Sequence, residues 1–183
     1  YFMPQASKSA DQAKSAQRKS KPRRTRRTSR RDPLAIKVLK QDHREVEHWF
    51  DEYEQLEAAS EKQALFRKIA LAPKVHTRIE EEIFYPEERG DVEDDMLEEA
   101  QVEHDGAKKL IAEIEGMKPA DDLYDAKVTV LGEYIKHHVK EEEQPGGIFA
   151  QAKKGEEDLE EMGTRLQERK QELMQELGGK APH

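Results

Sequence analysis

The 183-residue sequence contains no cysteine, which excludes disulfides, thiolate zinc sites, cysteine-ligated iron–sulfur clusters and a cysteine nucleophile. Aromatic residues make up only 6% of the chain, and the runs of Val, Ile, Thr and aromatic residues that are typical of strands are missing. No stretch approaches the roughly 20 apolar residues of a membrane-spanning helix, and no apolar signal core lies near the N-terminus. We therefore expect a soluble, cytoplasmic protein with no membrane partner.

Charge is abundant and unevenly distributed. Charged residues make up 39% of the chain, and the helix formers Ala, Glu, Lys, Leu and Gln dominate, which predicts an all-α protein. Residues 1–31 carry eleven Lys or Arg and one Asp, a net of +10, so a total of −8 leaves −18 for residues 32–183. Because residues 1–31 have almost no apolar side chains after Met3, we expect them to form a disordered basic tail.

Four amphipathic segments joined by short linkers follow the tail. They predict an antiparallel up-down four-helix bundle over residues 32–150. We expect the first helix to begin at Asp32-Pro33, an N-cap followed by proline at the first helical position. The second helix is expected to end at Tyr85-Pro86. Residues 151–183 predict an additional charged C-terminal helix and tail, with the helix packed outside the bundle or against a partner.

One histidine lies within the apolar stripe of each of the four helices, at a similar depth if the helices are antiparallel: His43, His76, His104 and His138. Two of them precede a glutamate by four residues, which places Glu80 and Glu142 on the same helix faces as His76 and His138. A single histidine in an apolar stripe is usually a core residue. Four such coincidences with two carboxylates instead predict a metal site inside the bundle.

The fourth helix offers two adjacent histidines. His138 shares the apolar face of its helix and precedes Glu142 by four residues, whereas His137 would pair with Glu141 on another face. We prefer His138, and the alternative of His137 stays open. His48 lies about 140° around the first helix from the inward histidine, so we interpret it as a surface or boundary residue.

Imidazole nitrogens combined with two carboxylates suit iron or manganese, and zinc is a chemical alternative. Two glutamates from related motifs are the natural bridges between two metal ions. A reduced pair with an open position could bind dioxygen, peroxide or nitric oxide. Only one glutamate of each acidic run can face fully inward, so we interpret Glu81 and Glu143 as exposed or as outer partners of the ligands. Tyr53, Tyr85 and Tyr134 are interpreted as core or boundary aromatics.

The sequence resembles the hemerythrin family, specifically the bacterial hemerythrin-like HHE cation-binding domains, over roughly residues 33–150. The resemblance rests on Asp42-His43, His76-x-x-x-Glu80-Glu81-x-Ile83-Phe84-Tyr85-Pro86, Glu103-His104 and His138-x-x-x-Glu142-Glu143. It implies a four-helix bundle holding two iron ions in an oxo- or hydroxo-bridged di-iron centre. His43, His76, His104 and His138 would be terminal ligands, with Glu80 and Glu142 as bridges. Family activities include reversible dioxygen binding, oxygen or iron sensing, and handling of nitric oxide or peroxide.

One position departs from the pattern of the oxygen carriers in this family. They usually have a second histidine one turn after the third-helix histidine, and here that position is Lys108. The loss leaves an open or water-filled position, or recruits another donor such as Tyr53 or His48. The departure favours sensing, iron handling or small redox chemistry over oxygen transport. We expect a di-iron protein that binds dioxygen or a related small oxidant, for oxygen or iron sensing, storage or oxidative protection. An enzyme acting on peroxide, nitric oxide or ferrous iron is the first alternative.

The basic tail suggests a second alternative, a helical scaffold that associates with nucleic acid through residues 1–31. Eleven positive charges can bind phosphate backbones by counterion release, without sequence specificity. A tail that binds nothing, or that contacts only its own acidic domain, is an equally open interpretation. No aromatic residues are interleaved with the charges, so base stacking is not predicted.

Overall fold

The structure is a computed structural model that describes residues 31–179. The predicted disordered tail lies outside these residues, apart from Arg31. Within this range the chain forms helices and no strand, which confirms the all-α prediction. The helices are α1 (Leu34–Tyr53), α2 (Ala59–Ile79), α3 (Tyr85–Glu88), α4 (Asp94–Glu115), α5 (Tyr124–Glu143), α6 (Ile148–Ala152) and α7 (Leu159–Gly178), with a π-helical turn, Glu80–Phe84, between α2 and α3. None of the helices in this part of the chain is long and apolar enough to cross a membrane.

Helices α1, α2, α4 and α5 form the predicted four-helix bundle. Its apolar side chains fall into two separate clusters; α1, α2 and α4 contribute to both, whereas α5 contributes to the second. Helix α1 contributes Leu39 to the first cluster and Val46 to the second, whereas α2 contributes Ile69 to the second cluster before Ile79 to the first. Neighbouring helices therefore run antiparallel. Because burying one Leu or Ile side chain contributes about 1.5–3 kcal/mol, these two clusters supply most of the stability of the bundle.

The first helix begins one residue later than expected. Its N-cap is Pro33 rather than Asp32, and no side chain caps the helix. Asp32 instead accepts hydrogen bonds from Lys40 Nζ at 2.8 Å and from Lys153 Nζ at 2.9 Å. Asp32 thus connects the start of α1 to Lys153 at the end of α6.

The second helix does not end at Tyr85-Pro86, as the sequence predicted. The Tyr85 N–H donates to the Glu80 carbonyl, five residues earlier, which closes the π-helical turn. Pro86 then lies in the first turn of α3, where a missing backbone donor costs nothing. The helical path therefore continues to Glu88, with one wide turn inside it.

Helix α7 packs against the outside of α1 and α2. It buries an apolar stripe of its own against the first cluster, with Leu159, Met162, Leu166 and Leu173. The closest approach is at Gly163, where an added Cβ would lie 2.5 Å from the Ala35 backbone nitrogen and 2.5 Å from the Leu34 side chain. A glycine is therefore needed for this contact between α7 and α1.

We predict that Gly163→Ala destabilises the protein by about 1–3 kcal/mol, because overpacking forces α7 away from α1. Gly106→Ala is the matched control, since that glycine also lies within a helix but has nothing within 4 Å of its added Cβ. There the gain in helix propensity should stabilise the protein by about 0.5–1 kcal/mol. Urea unfolding followed by circular dichroism measures both changes. Equal effects of the two substitutions would contradict the close packing of α7.

Candidate metal centre

Four histidines meet in a layer between the two apolar clusters, with their Nε2 atoms facing inward. All four side chains are buried. The Nε2 atoms of His43 and His76 are 3.0 Å apart, and those of His104 and His138 are 3.1 Å apart. The structure thus brings together the four histidines that the sequence singled out, as two pairs.

Glu80 lies between the two pairs and is fully buried. Its Oε1 is 3.2 Å from His76 Nε2, and its Oε2 is 3.2 Å from His104 Nε2. One carboxylate therefore contacts a histidine of each pair.

Glu142, on α5, also lies between the two pairs of histidines and is fully buried. Its Oε2 is 3.2 Å from His43 Nε2, and its Oε1 is 3.6 Å from His138 Nε2. The two glutamates thus approach the centre of the layer from α5 and from the π-helical turn after α2.

These six side chains form two candidate cation positions within the described residues. The first consists of His43, His76, Glu80 and Glu142, and the second of Glu80, His104 and His138. In each group, one potential ligand atom per residue lies within 4.8 Å of all the others. Glu80 belongs to both groups.

The chemistry of the donors fits a cation. Glu80 Oε1 and Glu142 Oε2 are buried without a hydrogen-bond partner, and an unsatisfied buried carboxylate oxygen is unfavourable. A cation between the imidazoles would satisfy both oxygens. Imidazole nitrogen with carboxylate oxygen and no thiolate suits iron, manganese or zinc.

The pKa values of the centre reflect two opposing effects, burial and the contacts between histidines and carboxylates. Burial lowers the pKa of His104, but hydrogen bonds to Glu80 and Glu81 outweigh it and raise the pKa to about 9. For Glu80, burial raises the pKa, but His76 and His104 hold it well below its usual value. Because a histidine binds metal only when it is deprotonated, a cation entering this layer displaces protons from the imidazoles.

The outward Nδ1 atom of each histidine faces a carboxylate of a neighbouring helix. The four Nδ1–oxygen distances are 3.2 Å for His76–Asp42, 3.0 Å for His104–Glu81, 2.8 Å for His138–Glu103 and 2.7 Å for His43–Glu143. A neutral imidazole that donates its Nδ1–H to a carboxylate presents the Nε2 lone pair inward, and this contact also fixes the orientation of the ring.

The four carboxylates form what we call the carboxylate ring, made of Asp42, Glu81, Glu103 and Glu143. Each is the sequence neighbour of an inward-facing residue and so lies about 100° around its own helix, towards the next helix. Asp42, for example, precedes His43 on α1 and pairs with His76 on α2. Glu81 and Glu143 are therefore outer partners of His104 and His43. The role of Asp42 and Glu103 was missed, although their position beside an inward histidine was the available signal.

Tyr85 also contacts the centre, although the sequence led us to interpret it as a core or boundary aromatic. Its hydroxyl donates to Glu142 Oε1 at 2.7 Å and lies 3.3 Å from His104 Nε2 and 3.4 Å from Glu80 Oε2. Its ring stacks on His104 with centroids 5.4 Å apart. Burial and the two carboxylates raise its pKa well above the usual value, so the hydroxyl keeps its proton. In a regular α-helix Tyr85 would lie about 140° from Glu80, and the π-helical turn removes this offset.

The position of Lys108 is not filled by either donor that the sequence suggested. Tyr53 donates its hydroxyl to Asp125 at 2.8 Å, and His48 is exposed. Lys108 itself turns to the outer side of the layer, where Nζ lies 2.5 Å from Glu81 Oε1. The Tyr85 hydroxyl lies 3.3 Å from His104 Nε2, because the π-helical turn carries it inward.

Each member of the carboxylate ring also contacts a basic side chain outside it: Arg44 for Glu143, Lys108 for Glu81, His137 for Glu103 and Lys170 for Asp42. His137 therefore lies outside the layer of the four buried histidines, with its side chain 61% exposed, while His138 lies inside this layer. Arg44, Lys108 and Lys170 thus place positive charge beside three of the four carboxylates of the ring.

A cavity of about 490 Å³, counted with its open mouth, reaches the four histidines. Its other walls are mostly apolar and are contributed by all four long helices, with Val46, Ala72, Pro73, Ala107, Ile135 and Val139 among them. Such walls admit a small, weakly polar molecule more readily than a charged one. The cavity thus gives the ligand layer one apolar approach.

A four-helix bundle with buried imidazoles and carboxylates at its centre is typical of metal-binding bundle proteins. The chain belongs to the hemerythrin HHE cation-binding domain family, whose family model matches residues 34–145. The crystal structure of a hemerythrin HHE cation-binding domain-containing protein from Mycobacterium kansasii has the same fold. It is 19% identical, with a TM-score of 0.65, and the match covers 80% of this chain and 94% of that one.

The chain is also similar to a protein described as a DNA nickase from Nostoc sp. strain PCC 7120. The two are 26% identical over 159 residues, which is 86% of this chain and 45% of the relative. The chain thus spans less than half the length of that protein.

We predict that Tyr85→Phe weakens metal binding about tenfold, because Glu142 loses its hydrogen bond inside the buried layer while the aromatic ring stays in place. Titration of the metal-free protein with cobalt(II), followed by visible absorption, measures the affinity. Tyr134→Phe is the matched control, since Tyr134 is 52% exposed and lies at the cavity rather than on the carboxylates. Identical cobalt affinities in both variants would show that the hydroxyl has no role in the centre.

Proposed function

We propose that the protein is a non-heme di-iron protein that binds dioxygen or a related small oxidant, for oxygen or iron sensing, storage or oxidative protection. The observation that carries the proposal is that Glu80 belongs to both candidate cation positions. A shared carboxylate favours a pair of ions over one. Family membership supports a cation, and the donor set of imidazole and carboxylate suits iron.

In this proposal each pair of histidines serves one ion. His43 and His76 would hold the first ion and His104 and His138 the second, and Glu80 and Glu142 would supply carboxylate oxygens. Ferrous iron, when bound, supplies the electrons that dioxygen or peroxide needs to be held or reduced. The carboxylate ring keeps the imidazoles oriented, and the apolar cavity provides access for a small oxidant.

An enzyme acting on peroxide, nitric oxide or ferrous iron at the same centre is the nearest alternative. The buried Tyr85 hydroxyl favours it, since this group holds a proton 2.7 Å from Glu142 Oε1 and beside both candidate positions. A reaction that consumes protons needs such a donor. Oxidant consumption over many equivalents would support the enzyme, and consumption once per centre would support binding.

Iron reconstitution tests the main proposal. The metal-free protein, loaded anaerobically with ferrous iron and then exposed to air, is expected to retain about two iron ions per chain and to show charge-transfer absorption of ferric iron with its ligands. Glu80→Gln should retain fewer than one and lose the absorption, because the shared negative ligand is gone. His137→Ala, the control beside His138, should behave like the unchanged protein. Fewer than about one iron per chain in the unchanged protein would contradict the proposal. If manganese or zinc is bound instead, the proposed identity of the metal is wrong.

A second candidate function is association with nucleic acid through residues 1–31. Two observations favour it: the net charge of +10 in that segment and the similarity to a protein described as a DNA nickase. The remaining residues carry −18 and repel phosphate backbones, so the basic segment is where binding would occur.

We predict that deletion of residues 1–31 abolishes retention on double-stranded DNA, whereas His76→Ala leaves it unchanged. Fluorescence anisotropy with a labelled duplex at several salt concentrations measures the affinity, which should fall steeply with salt as counterions are released. Replacing Arg23, Arg24, Arg26 and Arg27 by Gln keeps the length and should lower both the affinity and the salt dependence. Salt-insensitive or absent retention in the full chain would contradict this function. Incubation with supercoiled plasmid tests strand nicking in the same samples.

A further inference from the structure

Helix α7 lies outside the residues that match the family model, yet it contacts the carboxylate ring. Lys170, in the fourth turn of α7, donates from Nζ to Asp42 Oδ1. The other oxygen of Asp42 lies 3.2 Å from His76 Nδ1. A chain of two contacts therefore leads from the C-terminal helix to one candidate metal ligand.

The other three members of the ring do not depend on α7. Their outer basic partners come from the bundle itself: Arg44 on α1, Lys108 on α4 and His137 on α5. Asp42 alone receives its cation from a helix that packs on the outside of the bundle. Any influence of α7 on the ring is thus directed to a single histidine, His76.

Asp42 needs both contacts because it is only 8% exposed. A buried carboxylate is tolerated when each of its oxygens has a hydrogen-bonding partner, and a charged partner contributes most. Without Lys170, Oδ1 would have no other hydrogen-bonding partner among the described residues. Asp42 would then turn towards water, and the His76 ring would lose the contact that fixes its orientation.

We propose that Lys170 is a positioning residue that acts through Asp42 on His76, so that docking of α7 sets the metal affinity of one candidate position. The affected position is that of His43, His76, Glu80 and Glu142. The position of Glu80, His104 and His138 keeps its own carboxylates and their basic partners. This inference rests on the proposed occupancy of both positions by metal ions.

A purely structural role for α7 makes a different prediction. The helix also packs through its apolar stripe and through ion pairs with the bundle, such as Arg165 with Glu87. Loss of such a contact lowers stability without singling out one ligand. Arg165→Met is therefore the matched control, because it removes a cation of α7 that pairs with a bundle carboxylate away from the ring.

Cobalt(II) titration of the full-length, metal-free protein tests the proposal, with calorimetry and visible absorption as readouts. Lys170→Met is expected to weaken one of two binding events about tenfold and to alter the visible bands of that cobalt ion, leaving the other event unchanged. Lys170→Arg should restore most of the affinity, because the charge is kept. Arg165→Met should leave both events unchanged.

A double-mutant cycle shows whether the effect passes through Asp42. Asp42→Asn should weaken the same event, and Lys170→Met should add little in that background, because the contact it removes is already altered. Additive effects would overturn the proposal, as would equal weakening of both events or affinities within twofold of the unchanged protein. If the unchanged protein binds two cobalt ions and Lys170→Met has no effect, only this inference fails. If the unchanged protein binds neither cobalt nor iron, the proposed function fails as well.

Discussion

Burial of four imidazoles and two carboxylates in the middle of the bundle is the constraint on which the rest of the structure depends. Removing even one ionised group from water costs several kcal/mol, and the penalty is offset only when each group has well-placed partners. Here the partners come in layers: glutamates inside, the carboxylate ring outside the histidines, and basic side chains beyond the ring. The two apolar clusters on either side supply the stability that the polar layer cannot.

The π-helical turn joins the fold to the chemistry of the centre. It places Glu80 and Tyr85 together in the interior, although residues five apart do not share one face in a regular helix. One extra residue in one turn thus lets a carboxylate and a hydroxyl reach the same pair of histidines. Such turns occur often at functional sites because they change the side-chain phase without breaking the helix.

The sequence predicted the helices of the bundle and the inward-facing histidines and glutamates, but not all of the side chains that contact them. Apolar spacing of three and four residues defined the four helices, since that spacing follows directly from helix geometry. The phase of Tyr85 was not predictable in this way, because the period changes inside the π-helical turn. The partners of Asp42 and Lys108 were missed for another reason: each contact joins different helices, and Lys170 lies 128 residues from Asp42 along the chain. Local periodicity carries no information about such pairs.

The carboxylate ring also has a rotational sense. Asp42 and Glu103 each precede an inward residue on α1 and α4, whereas Glu81 and Glu143 each follow one on the antiparallel helical paths. Reversing the helix direction reverses the side to which a preceding residue points, so all four carboxylates face the next helix in the same circular order. The apolar stripes alone would fit a bundle of either handedness. In the opposite arrangement every ring carboxylate would face the wrong neighbour, so the polar layer selects one of two mirror-related topologies.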